Sequence, residues 1–288
     1  QGLSSSAAVQ RVRDAFGRIK AGHTGSLDPL ATGVLPICLG EATKVAGYLL
    51  DGDKEYEFTA QFGARTATGD LEGEVVETAE VPADLADRLR EALPRFTGPQ
   101  QQVPPMYSAL KQGGQPLYRL ARQGIEVARE PRDIRILALQ MLECAGTQAR
   151  IRVRCSKGTY VRTLAEDLAR AVGTCAHLGY LRRTAVAPFE GLPMHSLEAV
   201  LADPGSIALL PPDAALPHLP AVALEEAAAS RLRMGQAVSL PEGLPAPAAT
   251  GLCRVYGPGG AFLGIGEILP GAGLKPVRLF NNLAPDLT

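Results

Sequence analysis

The chain has 288 residues, more than one ordinary small domain needs, so a large catalytic-sized domain with a small appendage is expected. With 46% hydrophobic and 20% charged residues, the composition excludes a disordered or fibrous chain. Twenty-nine Lys and Arg against 30 Asp and Glu leave a net charge of −1, which excludes a uniformly basic binder of polyanions.

In chain order, Ser4 to Ser6 offer an N-cap, and Val9, Val12, Phe16 and Ile19 recur at helical spacing, which predicts a first helix running up to Gly22. Residues 22–33, Gly-His-Thr-Gly-Ser-Leu-Asp-Pro-Leu-Ala-Thr-Gly, are dense in Gly and Pro yet carry polar groups, the composition of a shaped functional loop. Residues 34–39 then read as a strand and 41–50 as a short helix. Alternating Tyr56, Phe58, Ala60 and Phe62 predict a half-buried strand. Eight acidic and two basic residues between Asp70 and Glu91 read as a solvated surface turn and helix. The prolines of 97–105 forbid regular structure there, so an insertion at about 97–130 should be rich in loops.

Two good strands follow at 135–144 and 150–155, the second with Ile151, Val153 and Cys155 on one face and Arg150, Arg152 and Arg154 on the other. Residues 159–172 read as an amphipathic helix and 177–186 as extended chain. Prolines at 211, 212, 217 and 220 mark a boundary between a domain at 1–212 and one at 220–288. A helix at 225–234 and Gly-flanked strands at 238–240, 252–256, 262–269 and 277–280 predict that the second is a compact β barrel.

No apolar run approaches the roughly 20 residues that span a bilayer. Five scattered cysteines without a CxxC pair suit a reducing compartment, so the cytoplasm is the expected location. The histidines (His23, His177, His195, His218) lack ligand spacing and no carboxylates cluster beside them, so no metal is expected. The chain opens Gln1-Gly2-Leu3 with neither methionine nor apolar leader, and an N-terminal segment is expected to be missing.

Two segments could carry chemistry. In the 22–33 loop, Asp28 is locked before Pro29 between Gly25 and Gly33; local pattern alone reads it equally as a reactive carboxylate or a turn cap. Chemistry with a single ionised carboxylate calls for a cation beside it, best an arginine on a packed element. Tyr160 and Arg162 lie just before the 159–172 helix body, where core packing explains an arginine poorly; the plain alternative is a solvent-facing side chain.

The run from Gly22 to Pro36 closely resembles the catalytic motif of the TruB family of bacterial tRNA pseudouridine synthases. The likeness continues through Asp53-Lys54-Glu55-Tyr56, Pro105-Met106-Tyr107-Ser108-Ala109-Leu110-Lys111, Arg122-Gln123-Gly124-Ile125, Ser156-Lys157-Gly158-Thr159-Tyr160-Val161-Arg162 and Tyr180-Leu181-Arg182-Arg183. It covers nearly all of residues 1–200. The resemblance implies an α+β pseudouridine synthase fold: a mixed, mainly antiparallel sheet flanked by helices, with an RNA-binding insertion and a small C-terminal PUA-like barrel. It implies that Asp28 is the essential carboxylate and Arg162 its partner, that Tyr56 stacks on the target uracil, and that Tyr160 and Leu181 complete the pocket. Tyr56 is also the family's candidate for removing the C5 proton, and His23 would hold the T-loop open.

The implied reaction isomerises uridine to pseudouridine in the T-loop of tRNA after flipping the base, without a cofactor. Asp28 could attack C1′, attack C6 or assist glycal formation, and the residues do not choose among these. The family's Asp-Lys-Pro segment precedes the positions matching Gly2, Ser4 and Ser5, so its lysine has no counterpart here and the first strand is expected to be absent. The competing readings are a noncatalytic RNA-binding protein or tRNA chaperone of the same fold, an Asp-based hydrolase or phosphotransferase, and a scaffold. Residues 107–183 hold 14 Lys and Arg against six Asp and Glu, so the near-zero net charge conceals a basic stretch. The T-arm stem-loop is expected to lie there, with Lys111, Lys157 and Arg182 on the RNA backbone and one subunit sufficient to hold it.

Overall fold

The computed structural model describes residues 1–240, 251–271 and 273–280. In chain order the elements are α1 (Ser5–Ala15), β1 (Ala21–His23), β2 (Thr32–Gly33), β3 (Ile37–Leu39), α2 (Ala46–Leu49), β4 (Lys54–Phe62), β5 (Ala64–Thr66), β6 (Val75–Thr78), α3 (Leu85–Ala92) and β7 (Gly98–Gln102). They continue as β8 (Lys111–Gln112), β9 (Gln115–Pro116), α4 (Leu117–Arg122), β10 (Arg132–Ala145), β11 (Gln148–Cys155), α5 (Val161–Ala171) and β12 (Ala176–Val186). The last are α6 (Leu197–Ala202), β13 (Ala221–Ala223), α7 (Glu226–Arg233), β14 (Val238–Ser239), β15 (Gly251–Tyr256), β16 (Phe262–Leu269) and β17 (Gly273–Leu279).

Two compact units form, and neither is continuous in sequence. The first gathers Gln1–Ser5, Ser26–Leu35 and Asp51–Gly191; the second gathers Ser6–Gly25, Pro36–Leu50 and the chain from Leu192 onward. The first unit is built on a six-stranded sheet of order β2-β12-β4-β11-β10-β7. Only the short β2–β12 pairing is parallel. Strict alternation in β4 and β11 turns Tyr56, Phe58, Ala60, Phe62, Ile151, Val153 and Cys155 to one face, where they pack with Leu85 and Leu89 of α3 and Leu164 and Leu168 of α5. Each such large apolar side chain contributes roughly 1.5–3 kcal/mol on burial, which is why register is firmly set here.

Several sequence expectations change. The first helix ends at Ala15, because Gly17 (φ 72°) and Arg18 (φ 63°) turn left-handed and leave Phe16 and Ile19 beyond it. Of the strand expected at 34–39 only β3 forms, and the expected 41–50 helix divides into a 3-10 turn, Gly40–Lys44, and α2. Part of the 97–105 segment is regular: β7 pairs with β10, Pro99 opposite Arg135, on the outer edge of the sheet, where a missing N–H costs no ladder bond, and Val103 to Pro105 stay irregular. The insertion itself holds α4 and the small hairpin β8–β9.

The second unit contains a five-stranded sheet of order β13-β15-β16-β17-β14. Ala229 and Leu232 of α7 pack on Cys253, Val255, Leu263 and Leu274 of that sheet. The expected barrel therefore takes the form of a sheet whose outermost strands, β13 and β14, do not pair among the described residues. Residues 281–288 of the expected second domain lie outside the described residues. The ribbon β1–β3 belongs to this unit as well. No helix among the described residues is long and apolar enough to cross a membrane.

Candidate active site

The loop that carries Asp28 is fixed by its own backbone and by two apolar anchors. Asp28-Pro29-Leu30-Ala31 closes as a turn, with the Ala31 N–H donating to the Asp28 carbonyl at 2.9 Å and proline in the second position, where its fixed φ suits the turn. Leu30 and Ala31 enter the core beside Tyr56 and Leu181. On the near side, the buried Ser5 hydroxyl accepts from the Leu27 N–H at 2.8 Å, and the Gly2 N–H donates to the Pro29 carbonyl at 2.7 Å. On the far side, Gly33 runs against β12 at φ 100°, and a Cβ there would sit 2.0 Å from the Arg183 carbonyl oxygen, so only glycine fits.

This scaffold leaves the Asp28 carboxylate 37% exposed and sets a buried cation beneath it. Arg162, in the first turn of α5, is 5% exposed and grips Asp28 two-pronged, Nε to Oδ2 at 2.8 Å and an Nη to Oδ1 at 3.3 Å. The rest of the guanidinium donates to the carbonyls of Thr68 at 2.9 Å and Tyr107 at 2.8 Å. Its Nη groups thus reach one carboxylate oxygen and two backbone carbonyls while Nε faces the other carboxylate oxygen, which holds the carboxylate in one orientation. Arg162 is therefore neither a solvent-facing side chain nor a packing filler.

A second carboxylate lies behind the first. Asp70, which charge patterning places on a solvated surface, is 4% exposed and puts Oδ2 3.9 Å from Arg162 Nε. Its other oxygen accepts from the Thr68 hydroxyl and from the Glu72 N–H at 3.0 Å, a local turn that orients it inward. The Gly69-Asp70 turn, with Gly69 at φ 75°, is the signal that sets this residue apart from the acidic run around it.

The walls come from the sheet and from the start of α5. Tyr56 on β4 is 8% exposed; burial pushes its phenol above the ordinary tyrosine value, and the neighbouring Arg183 guanidinium, through charge and a hydrogen bond, pulls the other way. Leu181 on β12 is 5% exposed and belongs to the same apolar cluster. Tyr160 is half-buried just before α5, and burial pushes its phenol up too. Its backbone is clamped by Gln102 of β7, whose side-chain amide accepts from the Tyr160 N–H at 2.7 Å and donates to its carbonyl at 3.1 Å. Gln102 and Asp70 go unnoticed in the sequence, and Arg183 appears there only as one half of an Arg-Arg pair.

The remaining sequence-derived residues are not members of that apolar cluster. His23 sits on β1 of the second unit, its Nδ1 accepting from the Gly25 N–H at 3.3 Å. Lys111 is exposed on β8, and Lys157 is paired with Asp51 at 2.7 Å. Strand alternation turns Arg182 away from Leu181 and Arg183, opposite Glu57, which is also paired with Arg152. The structure thus gathers Asp28, Arg162, Tyr56, Leu181 and Tyr160 within the first unit and leaves these cations outside that cluster.

Known proteins share this arrangement of sequence. Residues 13–161 match the model of the TruB family pseudouridylate synthase N-terminal domain, 162–208 that of the tRNA pseudouridylate synthase B C-terminal domain, and 220–280 that of the pseudouridine synthase II TruB C-terminal region. A tRNA pseudouridine synthase B from Pseudomonas putida is 50% identical over 288 residues, covering 98% of this chain and 93% of that protein. One from Thiobacillus denitrificans is 50% identical over 281 residues, covering 96% and 92%. In fold, the chain resembles an H/ACA ribonucleoprotein bound to a substrate RNA containing 2′-deoxyuridine, at a TM-score of 0.71 and 22% identity over 98% of this chain and 82% of that one. A Cbf5-Nop10-Gar1 complex gives 0.69 and 25% over 98% and 81%. The chain belongs to the TruB family and is a pseudouridine synthase.

Proposed function

We propose that the protein isomerises uridine to pseudouridine in the T-loop of tRNA, with Asp28 as the catalytic carboxylate. The observation that carries this reading is a half-exposed Asp28 clamped by a buried Arg162, beside a wall formed by Tyr56 and Leu181. The reaction detaches N1 of uracil from C1′, turns the ring and joins C5 to C1′. The C5 hydrogen leaves as a proton and N1 takes one up, so atoms and electrons balance without an oxidant or water. A single oriented carboxylate supplies what such a step asks of the protein, as nucleophile or as base. Tyr56 stacks on the flipped uracil and removes the C5 proton, and Leu181 and Tyr160 close the pocket around it. His23 contacts the loop the base has left.

The basic stretch at 107–183 supports the choice of a polyanionic substrate, with Lys111 and Arg182 reaching phosphates and Lys157 joining them on release from Asp51. The region from 220 onward serves as a PUA-like RNA-binding module, and residues 1–212 as the catalytic domain. One subunit acts alone, in the cytoplasm. The test is a tRNA transcript carrying tritium at C5 of every uridine, compared with one whose T-loop target is cytidine. One equivalent of tritium should be released from the first and none from the second, with binding weakened by added salt. Equal release from both would reject the T-loop assignment, and tight binding without any release would favour a noncatalytic RNA-binding protein.

A further inference from the structure

Arg183 heads the fully buried side chains by size, at 1% exposure, yet it carries a charge. Burying a guanidinium is costly, and an aliphatic side chain of similar volume would pack at this place more cheaply. What arginine adds is a planar fork that reaches several acceptors in fixed directions. Its Nε donates to the Val34 carbonyl at 2.8 Å and an Nη to the Ser26 carbonyl at 3.3 Å. Ser26 and Val34 bracket Asp28, one before it and one after. Across the β12–β4 register Arg183 stands directly opposite Tyr56, and its charge is a neighbour of the phenol. The Arg183 backbone joins in, its carbonyl accepting from the Val34 N–H at 2.9 Å and lying hard against Gly33.

We propose that Arg183 is a positioning residue for the isomerisation: its guanidinium fixes the loop that carries Asp28 relative to the phenol of Tyr56. The proposal rests on the reading that Asp28 and Tyr56 act on the flipped uridine. Arg162 and Arg183 divide the work, the first orienting the carboxylate and the second orienting the backbone on which it sits. Being buried, Arg183 cannot contact RNA, so its loss acts on turnover and not on binding. The charged and titratable groups facing the Tyr56 phenol are Arg183 from β12, Cys155 from β11 and Asp28 from the loop. Of these only Arg183 favours the ionised phenol.

The experiment compares Arg183→Gln and Arg183→Lys with Asp28→Asn and Tyr56→Phe in steady-state and single-turnover tritium release, each rate corrected for the folded fraction. NMR of carbon-labelled tyrosine follows the Tyr56 phenol, identified by its loss in Tyr56→Phe. Arg183→Gln should lower kcat about 10- to 100-fold with KM unchanged, the size expected of misplaced reacting groups, and should move the Tyr56 titration upward. Arg183→Lys keeps the charge and loses the fork, so it should restore the titration toward wild type while kcat stays low. If the Gln variant does not fold, the Lys variant alone decides. Unchanged kcat, or a loss accounted for by unfolding with Tyr56 titrating as in wild type, would overturn the proposal. Full activity in Asp28→Asn would instead reject the reading of the site on which it rests.

Discussion

The two units solve their interiors differently. Every buried charged side chain among the described residues, Lys54, Asp70, Arg162 and Arg183, belongs to the first unit, as does the buried His177. The second unit buries Val222, Leu224, Leu232, Val255, Leu263, Ile268 and Leu274, and its charges, such as Lys275 paired with Glu267, stay at the surface. An apolar interior stabilises a fold at least cost, so buried ions persist where something beyond stability requires them. In the first unit Arg162 pairs with Asp28 and lies 3.9 Å from Asp70, and Arg183 holds the backbone of the Asp28 loop at Ser26 and Val34. The contrast separates a module shaped by packing from one shaped by chemistry.

Substitutions can sharpen or break that contrast. The largest expected effect is that of Asp28→Asn: turnover should fall on the order of 10⁴-fold, at a stability cost of about 1–2 kcal/mol because the amide still accepts from Arg162 but no longer neutralises it. Arg162→Met should cost activity and also about 3–5 kcal/mol of stability by denaturant titration, since it strips the partner from two carboxylates and two carbonyls. In the second unit Leu232→Ala should cost about 2–5 kcal/mol but leave kcat of the folded fraction unchanged; a loss of kcat there would blur the division. Asp70→Asn keeps the turn and removes a charge, and should lower kcat roughly tenfold at a stability cost of about 1 kcal/mol.

The smallest effect concerns alkali, where the units should behave alike. Burial pushes the thiols of Cys155 in the first unit and Cys253 in the second up to about 11 from 9.0. The unfolded chain then releases these protons first, so stability is full below the ordinary thiol value and falls as pH rises toward the shifted one. Cys155→Ala and Cys253→Ala should each flatten that fall by about 1–2 kcal/mol in melting curves across the range.

What the sequence reveals follows the same division of causes. Alternation in β4 and β11 is legible because one face is buried and the other wet, so residue type reports position directly. The β7 strand is not, because prolines count against a strand unless its edge position is known, and that position depends on β10, some 30 residues on. Asp28 stands out because its glycines and proline mark a shaped turn, and Arg162 because an arginine there asks for a partner. Their pairing across 134 residues is a tertiary fact that the family resemblance supplies and no local pattern does. Asp70 is hidden among acidic neighbours that really are exposed, and Arg183 beside an Arg182 of identical chemistry on the opposite face of β12. Buried charges are the hardest features to read, since composition assigns every charge to the surface.

The central claim is that the Asp28 carboxylate, held by Arg162, carries out the isomerisation. The most direct measurement is single-turnover tritium release from a T-arm stem-loop labelled at C5 of its target uridine, at saturating protein, for wild type and Asp28→Asn side by side. Complete release by wild type and none above background by Asp28→Asn, with RNA still bound by both, is the predicted result. Release by Asp28→Asn at the wild-type rate would contradict it.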